Sequence, residues 1–274
     1  MIELHKYSGA GNDFVVLDGR KEDVSEFRTA GRIAALCDRR TGFAAADGRI
    51  GADGLMILTG DPDYDFRMEY YNSDGSGGMM CGNGGRCIVA FADALGLKPA
   101  DGRVFRFAAA DGEHTGEILA REGDLKTVRL RMIDVHEFRP ALDGWFLDTG
   151  TRHFVRFVPD VEAVDIEKEG YAARWDPLFA PIGANANFVS VDPDGTLRVR
   201  TFEKGVEAET LACGTGITAS AIAAYLEGPA AAVSPGVSVH FRIQARIARL
   251  AVDFRPGQNC FTDVYLTGPA DEIR

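Results

Sequence analysis

Two cysteines stand immediately before a short glycine turn: Cys81 in "CGNGGRC" and Cys213 in "CGTGITAS". A thiol in that setting has chemistry available to it. If the next residues begin a helix, their first N–H groups lack intrahelical partners and carry partial positive charge. That field favours the thiolate over the thiol, whose ordinary pKa is about 8.5. Gly82, Gly84, Gly214 and Gly216 let a ligand approach the backbone closely, and the same amides suit a carboxylate. Two such turns facing each other would flank one carboxylate-bearing carbon. One thiolate could then remove an α-proton while the opposite thiol returned a proton to the other face. Such a pair must differ in protonation when a turnover begins, and it titrates as a unit.

Buried inert cysteines, a metal clamp and a disulfide compete with that reading. The five cysteines, at 37, 81, 87, 213 and 260, are odd in number and form no disulfide framework. Cys81 and Cys87 enclose a longer span than the spacing of zinc knuckles, and no paired Cys/His cluster lies nearby. No metal and no cofactor are therefore expected. Cys37, Cys87 and Cys260 lack the glycine setting and read as structural. A single free cysteine is most often a small buried hydrophobe; the repetition with glycine flanks favours function for Cys81 and Cys213.

More than the cysteines recurs. With the chain shifted so that Cys81 falls on Cys213, "GADGLMIL" at Gly51 meets "GANANFVS" at Gly183. "FRMEYYN" then meets "RVRTFEK", and "CGNGGRCIVAFADALG" meets "CGTGITASAIAAYLEG", without a gap between 51–96 and 183–228. "GNDFVVLD" and "TRHFVRFV" pair more loosely as strand-like runs after a turn. The period is too long for a solenoid. An α+β architecture of two homologous sheet-plus-central-helix halves follows, 1–130 carrying Cys81 and 131–274 carrying Cys213, with the last few residues free to return to the first half. The active site is expected in the cleft between them. Runs such as "DFRMEYY", "VFRFAAA", "KTVRLRM" and "FTDVYLT" read as antiparallel strands. A helix is expected within "EFRTAGRIAALCDRRTGF", with Ile33, Leu36 and Cys37 inward, and a crossover around "HEFRPALDG". Gly96 and Gly228 are expected as helix-ending C′ residues.

The 274 residues carry a formal net charge of −11 and are 46% hydrophobic. That composition supports a packed core and argues against nucleic-acid or anionic-membrane partners. No apolar run reaches the roughly 20 residues of a membrane span, and the start lacks a signal-peptide pattern. The cytoplasm, where thiols stay reduced, is the expected compartment.

The motifs together resemble the diaminopimelate epimerases, pyridoxal-independent amino-acid epimerases of lysine and peptidoglycan biosynthesis. "GAGNDF", "GADG", "NSDGS", "MCGNGGRC", "TGTRHFV", "NANFV", "TFEKGVEAETLACGTG" and "LTGPA" carry the likeness nearly end to end. The resemblance implies interconversion of LL- and meso-diaminopimelate, with Cys81 and Cys213 as the acid–base pair. It implies that Asn12, Asn72 and Asn185 bind the substrate's amino and carboxyl groups. Gly82–Asn83 and Gly214–Thr215 would cradle the reacting carboxylate. Glu203 and Lys204 match a Glu–Arg pair that contacts substrate, and His153 matches a histidine beside the thiols. The implied partner is a small molecule, and a homodimer is compatible with it.

The chain departs from the pattern at several positions. Thr151–Arg152 replaces the Asn-Pro before the histidine, Gly77 stands where an acidic residue is common, and Gly54 where some members have glutamine. Lys204 replaces an arginine and cannot reproduce a bidentate guanidinium–carboxylate pair. A proline-type racemase of the same fold, a thiol redox switch and a non-catalytic amino-acid-binding module remain the alternatives. Epimerisation assays, redox dependence and binding without turnover, respectively, separate them.

Overall fold

The structure is a computed structural model and describes residues 2–77, 80–228 and 236–274. It divides into two compact units, Met1–Leu130 with Gly268–Arg274, and Arg131–Thr267.

In the first unit, β1 (Leu4–Gly9) and β2 (Asn12–Asp18) form a hairpin, and α1 (Ala30–Cys37) leads to β3 (Gly54–Thr59) and β4 (Phe66–Asn72). Helix α2 (Gly82–Ala94) precedes β5 (Val104–Ala109), β6 (Gly112–Glu122) and β7 (Leu125–Arg131). Neighbouring strands follow sequence order. The chain's last strand closes the sheet on itself: Gly268–Asp271 pairs with β7, while Asp271 and Glu272 pair with Ser8 and Tyr7 of β1. Alternation along β3 sends Leu55 and Ile57 toward Ile33, Leu36 and Cys37 of α1, in a cluster with Val15 and Leu17. Met56 points the other way, to α2. Helix α2 packs against β1, β2, β3 and β6 and is buried from Asn83 to Ala92, which explains a helix that is mostly small and apolar all round.

The second unit begins with β8 (Glu137–Ala141), β9 (Gly144–Asp148) and β10 (Arg152–Phe157). Short helical turns that include α3 (Tyr171–Arg174) lead to β11 (Asn185–Val191), β12 (Leu197–Glu203) and the short β13 (Ala208–Thr210). Helix α4 (Gly214–Glu227) precedes β14 (Val239–Gln244), β15 (Arg249–Pro256) and β16 (Phe261–Glu272). Helix α4 packs against β9, β10, β11, β12, β14 and β15. A layer of Phe146, Phe154, Phe179, Phe188 and Phe202 fills the far side of the sheet.

Both units run through the same sequence of pairings, and both add parallel pairs to the expected antiparallel ones. Strand β2 is parallel to β3 and β4 to β5; β10 is parallel to β11 and β12 to β14. The reason is that each of these connections contains helical structure, and a crossover returns the chain in the same direction. The ungapped superposition also slips by one residue. Gly84 faces Met56, whereas Gly216, its counterpart across the cysteine repeat, faces Asn187. Pairing agrees: Gly54 lies opposite Asn72 and Asn185 sits one step beyond the Ala186–Phe202 pair, in line with Glu203. Asn72 therefore corresponds to Glu203, and Phe14 to His153, because each is aligned with the matching parallel neighbour. The connection from Glu203 to Cys213 is one residue longer than that from Asn72 to Cys81, and it accommodates β13.

Three smaller expectations change. Gly96 ends α2 at φ +79, as a C′ glycine should, but Gly228 caps α4 at φ −91 in extended backbone. The segment expected as a crossover at 136–144 is instead strand β8 and a tight turn to β9, with Leu142 at φ +52. Helix α1 stops at Cys37 because the Asp38 carboxylate accepts from the Arg40 and Thr41 amides and turns the chain. No helix among the described residues is long and apolar enough to cross a membrane.

Candidate active site

Each cysteine is the N-cap of its unit's central helix. Cys81 has φ −112, ψ 118 and Cys213 φ −105, ψ 110, and neither side chain caps the helix. The carbonyl of Cys81 accepts from the Gly85 amide at 2.7 Å, and that of Cys213 from Ile217 at 2.8 Å. First-turn amides ahead of those positions lie outside the helical ladder. Both sulfurs thus leave from one backbone geometry beside a positive helix end. The glycines have a steric reason: a Cβ at Gly216 would lie 2.4 Å from Asn187 Oδ1.

In the first unit the residues after Cys81 are fastened by a polar chain. Asn83, 2% exposed, donates from Nδ2 to Asn12 Oδ1 at 2.6 Å. Asn12 donates to Asp53 Oδ2 at 2.9 Å, and Asp53 is salt-bridged to Arg39. Arg39 also reaches Asp13, which the buried Lys6 ammonium meets at 2.9 Å. Burial pushes the Asp13 carboxyl up, but hydrogen bonds from Arg39 and Lys6 outweigh it and hold it below the usual carboxylate range. From the other side, Arg86 donates to Asn83 Oδ1 at 2.8 Å and approaches the Gly82 carbonyl at 3.4 Å. Arg86 is wholly buried. Asn72 closes β4: its Oδ1 accepts from Tyr70 and its Nδ2 donates to Ser76 Oγ, both at 2.9 Å.

In the second unit, strand alternation divides the sheet into an apolar and a polar face. Phe154, Phe188 and Phe202 face outward into the phenylalanine layer. His153, Asn187 and Thr201 occupy the opposite face, with the start of α4 close against His153 and Asn187. His153 Nε2 lies 2.9 Å from both Thr215 Oγ1 and Thr151 Oγ1, and the two hydroxyls are 3.1 Å apart. Thr215 Oγ1 is 3.4 Å from Cys213 Sγ. Burial drives the His153 pKa down to about 3, and the Lys204 charge acts in the same sense. His153 is a neutral imidazole at physiological pH. The Thr151–Thr215 contact repeats the Asn12–Asn83 contact of the first unit, at corresponding positions, with hydroxyls in place of amides.

Asn185, 3% exposed, accepts the Lys204 amide at 2.8 Å and donates to the Arg152 carbonyl at 2.9 Å. It holds the turn carrying Lys204 to the strand carrying His153. Glu203 Oε2 accepts from Thr210 Oγ1 at 2.8 Å, across to β13. Lys204 is half-buried.

Cys213, Thr215 and His153 are thus brought together, as are Asn12 and Asn83 in the turn after Cys81, and Asn185 with Lys204. Asn72 is tied instead to its own β-turn. Three participants escaped the sequence reading, Arg86, Asp53 and Asn187, and Thr151 entered it only as a departure from the family pattern. An arginine inside an otherwise apolar helix and a second asparagine two residues after Asn185 were the available signals. Burial pushes the Cys37 thiol up to about 11 and that of Cys87 higher still, so both are inert at neutral pH. Among the described residues no group of three or more His, Cys, Asp or Glu could hold a metal ion.

The fold recurs in solved structures of low sequence identity. A phenazine biosynthesis protein of the PhzF family from Bacillus anthracis superimposes with a TM-score of 0.75 at 14% identity, covering 100% of this chain and 97% of that one. A hydroxyproline epimerase from Agrobacterium vitis gives 0.64 at 17% identity, over 98% and 88%. Those likenesses define the fold. The sequence goes further: residues 4–127 and 145–242 match the diaminopimelate epimerase family. Diaminopimelate epimerases of Flavobacterium psychrophilum and Chlorobaculum tepidum are 40% and 39% identical to it, over 99% and 97% of this chain and 98% and 97% of theirs. The chain belongs to the diaminopimelate epimerase family.

Proposed function

We propose that the chain interconverts LL- and meso-2,6-diaminopimelate by a two-base thiol mechanism, without a cofactor, on the cytoplasmic route to lysine and peptidoglycan. Family membership makes it an amino-acid epimerase. The observation that carries the two-base reading is the matched N-cap placement of Cys81 and Cys213, with backbone angles agreeing within a few degrees. In this reading the two halves meet across a substrate cleft. One thiolate takes the α-proton and becomes a thiol; the electron pair left on carbon delocalises into the adjoining carboxylate. The opposite thiol protonates the other face and is left as the thiolate. The finished enzyme is poised for the reverse reaction.

Turn amides at Gly82–Asn83 and Gly214–Thr215 are the groups suited to the carboxylate as charge develops, because fixed N–H dipoles need no reorganisation. Asn12, Asn72, Asn185, Glu203 and Lys204 are assigned to the substrate's amino and carboxyl groups. His153, neutral and buried, acts through Thr215 rather than as a base. The test is incubation with LL-diaminopimelate in deuterated water, following epimer ratio and α-deuterium. Both should change together in the wild type, and Cys81→Ala and Cys213→Ala should each abolish epimerisation. Near-normal epimerisation by either alanine variant would falsify the two-base mechanism.

A further inference from the structure

Asn187 lies on β11 and has no role in the proposed chemistry so far. It is wholly buried, as is His153. Its amide orientation is fixed. The Phe154 carbonyl, which can only accept, lies 2.9 Å from Asn187 Nδ2, so the nitrogen must face it. Thr201 Oγ1 donates to Asn187 Oδ1 at 2.9 Å on the other side. The second amide hydrogen is then directed at His153 Nδ1, 3.1 Å away.

An imidazole nitrogen that accepts a hydrogen bond carries no proton, so a neutral His153 has its hydrogen on Nε2. That N–H meets two hydroxyl oxygens, Thr151 and Thr215, each at 2.9 Å. Either His153 donates to Thr215 directly, or it donates to Thr151, which passes a hydrogen to Thr215 over 3.1 Å. The Thr215 hydroxyl is left with its own hydrogen to give, and Cys213 Sγ is 3.4 Å away.

We propose that Asn187 is a positioning residue that fixes the Nε2–H tautomer of His153 and so directs a one-way hydrogen-bond chain, through Thr215, that ends by donating to the Cys213 sulfur. The chain favours thiolate at Cys213 without placing a cation beside it. It also explains Gly216: any side chain there would strike Asn187 Oδ1 and the His153 ring. Thr151, where the family pattern has asparagine, enters the chain as a second hydroxyl that can accept and pass on the same hydrogen.

This rests on Cys213 being an acid–base group, but its readouts need no turnover, so it fails or stands separately from the epimerase reading. Histidine labelled with ¹⁵N should give, for His153 at neutral pH, a neutral ring protonated at Nε2, assigned by its disappearance in His153→Gln. An Nδ1–H tautomer or an imidazolium would overturn the proposal. Asn187→Asp, which can only accept, should convert the ring to Nδ1–H. Thr215→Val should slow alkylation of Cys213 by iodoacetamide at fixed neutral pH about tenfold, the scale of one charge-assisted hydrogen bond. Thr215→Ser should restore the rate, with Cys81 labelling, read by peptide mass spectrometry, unchanged throughout. If valine and serine label Cys213 equally fast, the hydroxyl does not reach the sulfur and the chain is wrong. Because the tautomer is read on the wild type, misfolding of a variant leaves the test intact.

Discussion

Arg86 donates to Asn83 Oδ1 at 2.8 Å from a position with no solvent exposure. Its other hydrogen-bond partners among the described residues are the carbonyls of Gly82 and Pro269, both at 3.4 Å, and none is a carboxylate. Burial lowers its pKa, while Cys87 and Cys81 act in the opposite sense. A buried cation without a carboxylate is costly to keep. What it secures is the turn after Cys81.

Arg86→Met should therefore separate stability from activity. Removing the charge relieves desolvation but leaves Asn83 Oδ1 and the Gly82 carbonyl short of a donor, so stability should stay within about 1–2 kcal/mol of wild type. Catalytic efficiency should fall at least about tenfold as the turn loosens. Denaturant midpoints and kcat/KM measured together decide it; equal activity would reduce Arg86 to a packing residue.

Two glycines at matching helix positions should respond unequally to alanine. At Gly216 the new methyl meets Asn187 Oδ1 at 2.4 Å and the His153 ring at 3.2 Å. At Gly84 it meets the Met56 sulfur at 3.2 Å and the Met68 methyl at 3.4 Å, flexible groups that can yield. Gly216→Ala should lose about 1–3 kcal/mol by overpacking, whereas Gly84→Ala should lose less, helped by alanine's better helix propensity. Thermal denaturation of both variants reverses the idea if their order is inverted.

His153 sets an acid limit on stability. Its folded pKa of about 3 lies below the ordinary value of 6.5, so the unfolded chain binds the proton more readily. The favourable contribution is complete above pH 6.5 and is lost as pH falls toward 3, at up to about 1.4 kcal/mol per pH unit. Between pH 6.5 and 5, above most carboxylate titration, His153→Gln should flatten the slope of unfolding free energy against pH. An unchanged slope would mean that His153 is not buried neutral.

Lys204 presents a flexible point charge where the family pattern has a planar guanidinium. If it binds a substrate carboxylate, Lys204→Met should lose at least about 1.5 kcal/mol of transition-state stabilisation, roughly tenfold in kcat/KM. Lys204→Arg should remain active, and alkylation of Cys81 should be unaltered in both. Methionine matching wild type at subsaturating substrate would leave Lys204 as a surface charge.

Much was legible in the linear chain. Cysteine followed by glycine, a run of small apolar residues and a strand on either side dictate a buried helix with a thiol at its positive end, because capping and burial are local and periodic properties. That is why Cys81 and Cys213 could be placed at helix starts from the residues alone, whereas Asn83 and Thr215 entered only through the family resemblance. The match of motifs also fixed the family. Register could not be read this way. A one-residue difference in the connection before α4 leaves the cysteines aligned but turns the preceding strands to the other face, so Phe14 answers His153 rather than Phe154. Only tertiary pairing decides which side of a strand looks at the helix, since residues of alternate parity are equally available in sequence. The same holds for Asn187, Thr151 and Arg86. Their partners are brought near by sheet pairing and helix packing, and the direction of a hydrogen bond depends on neighbours that the chain's order does not reveal.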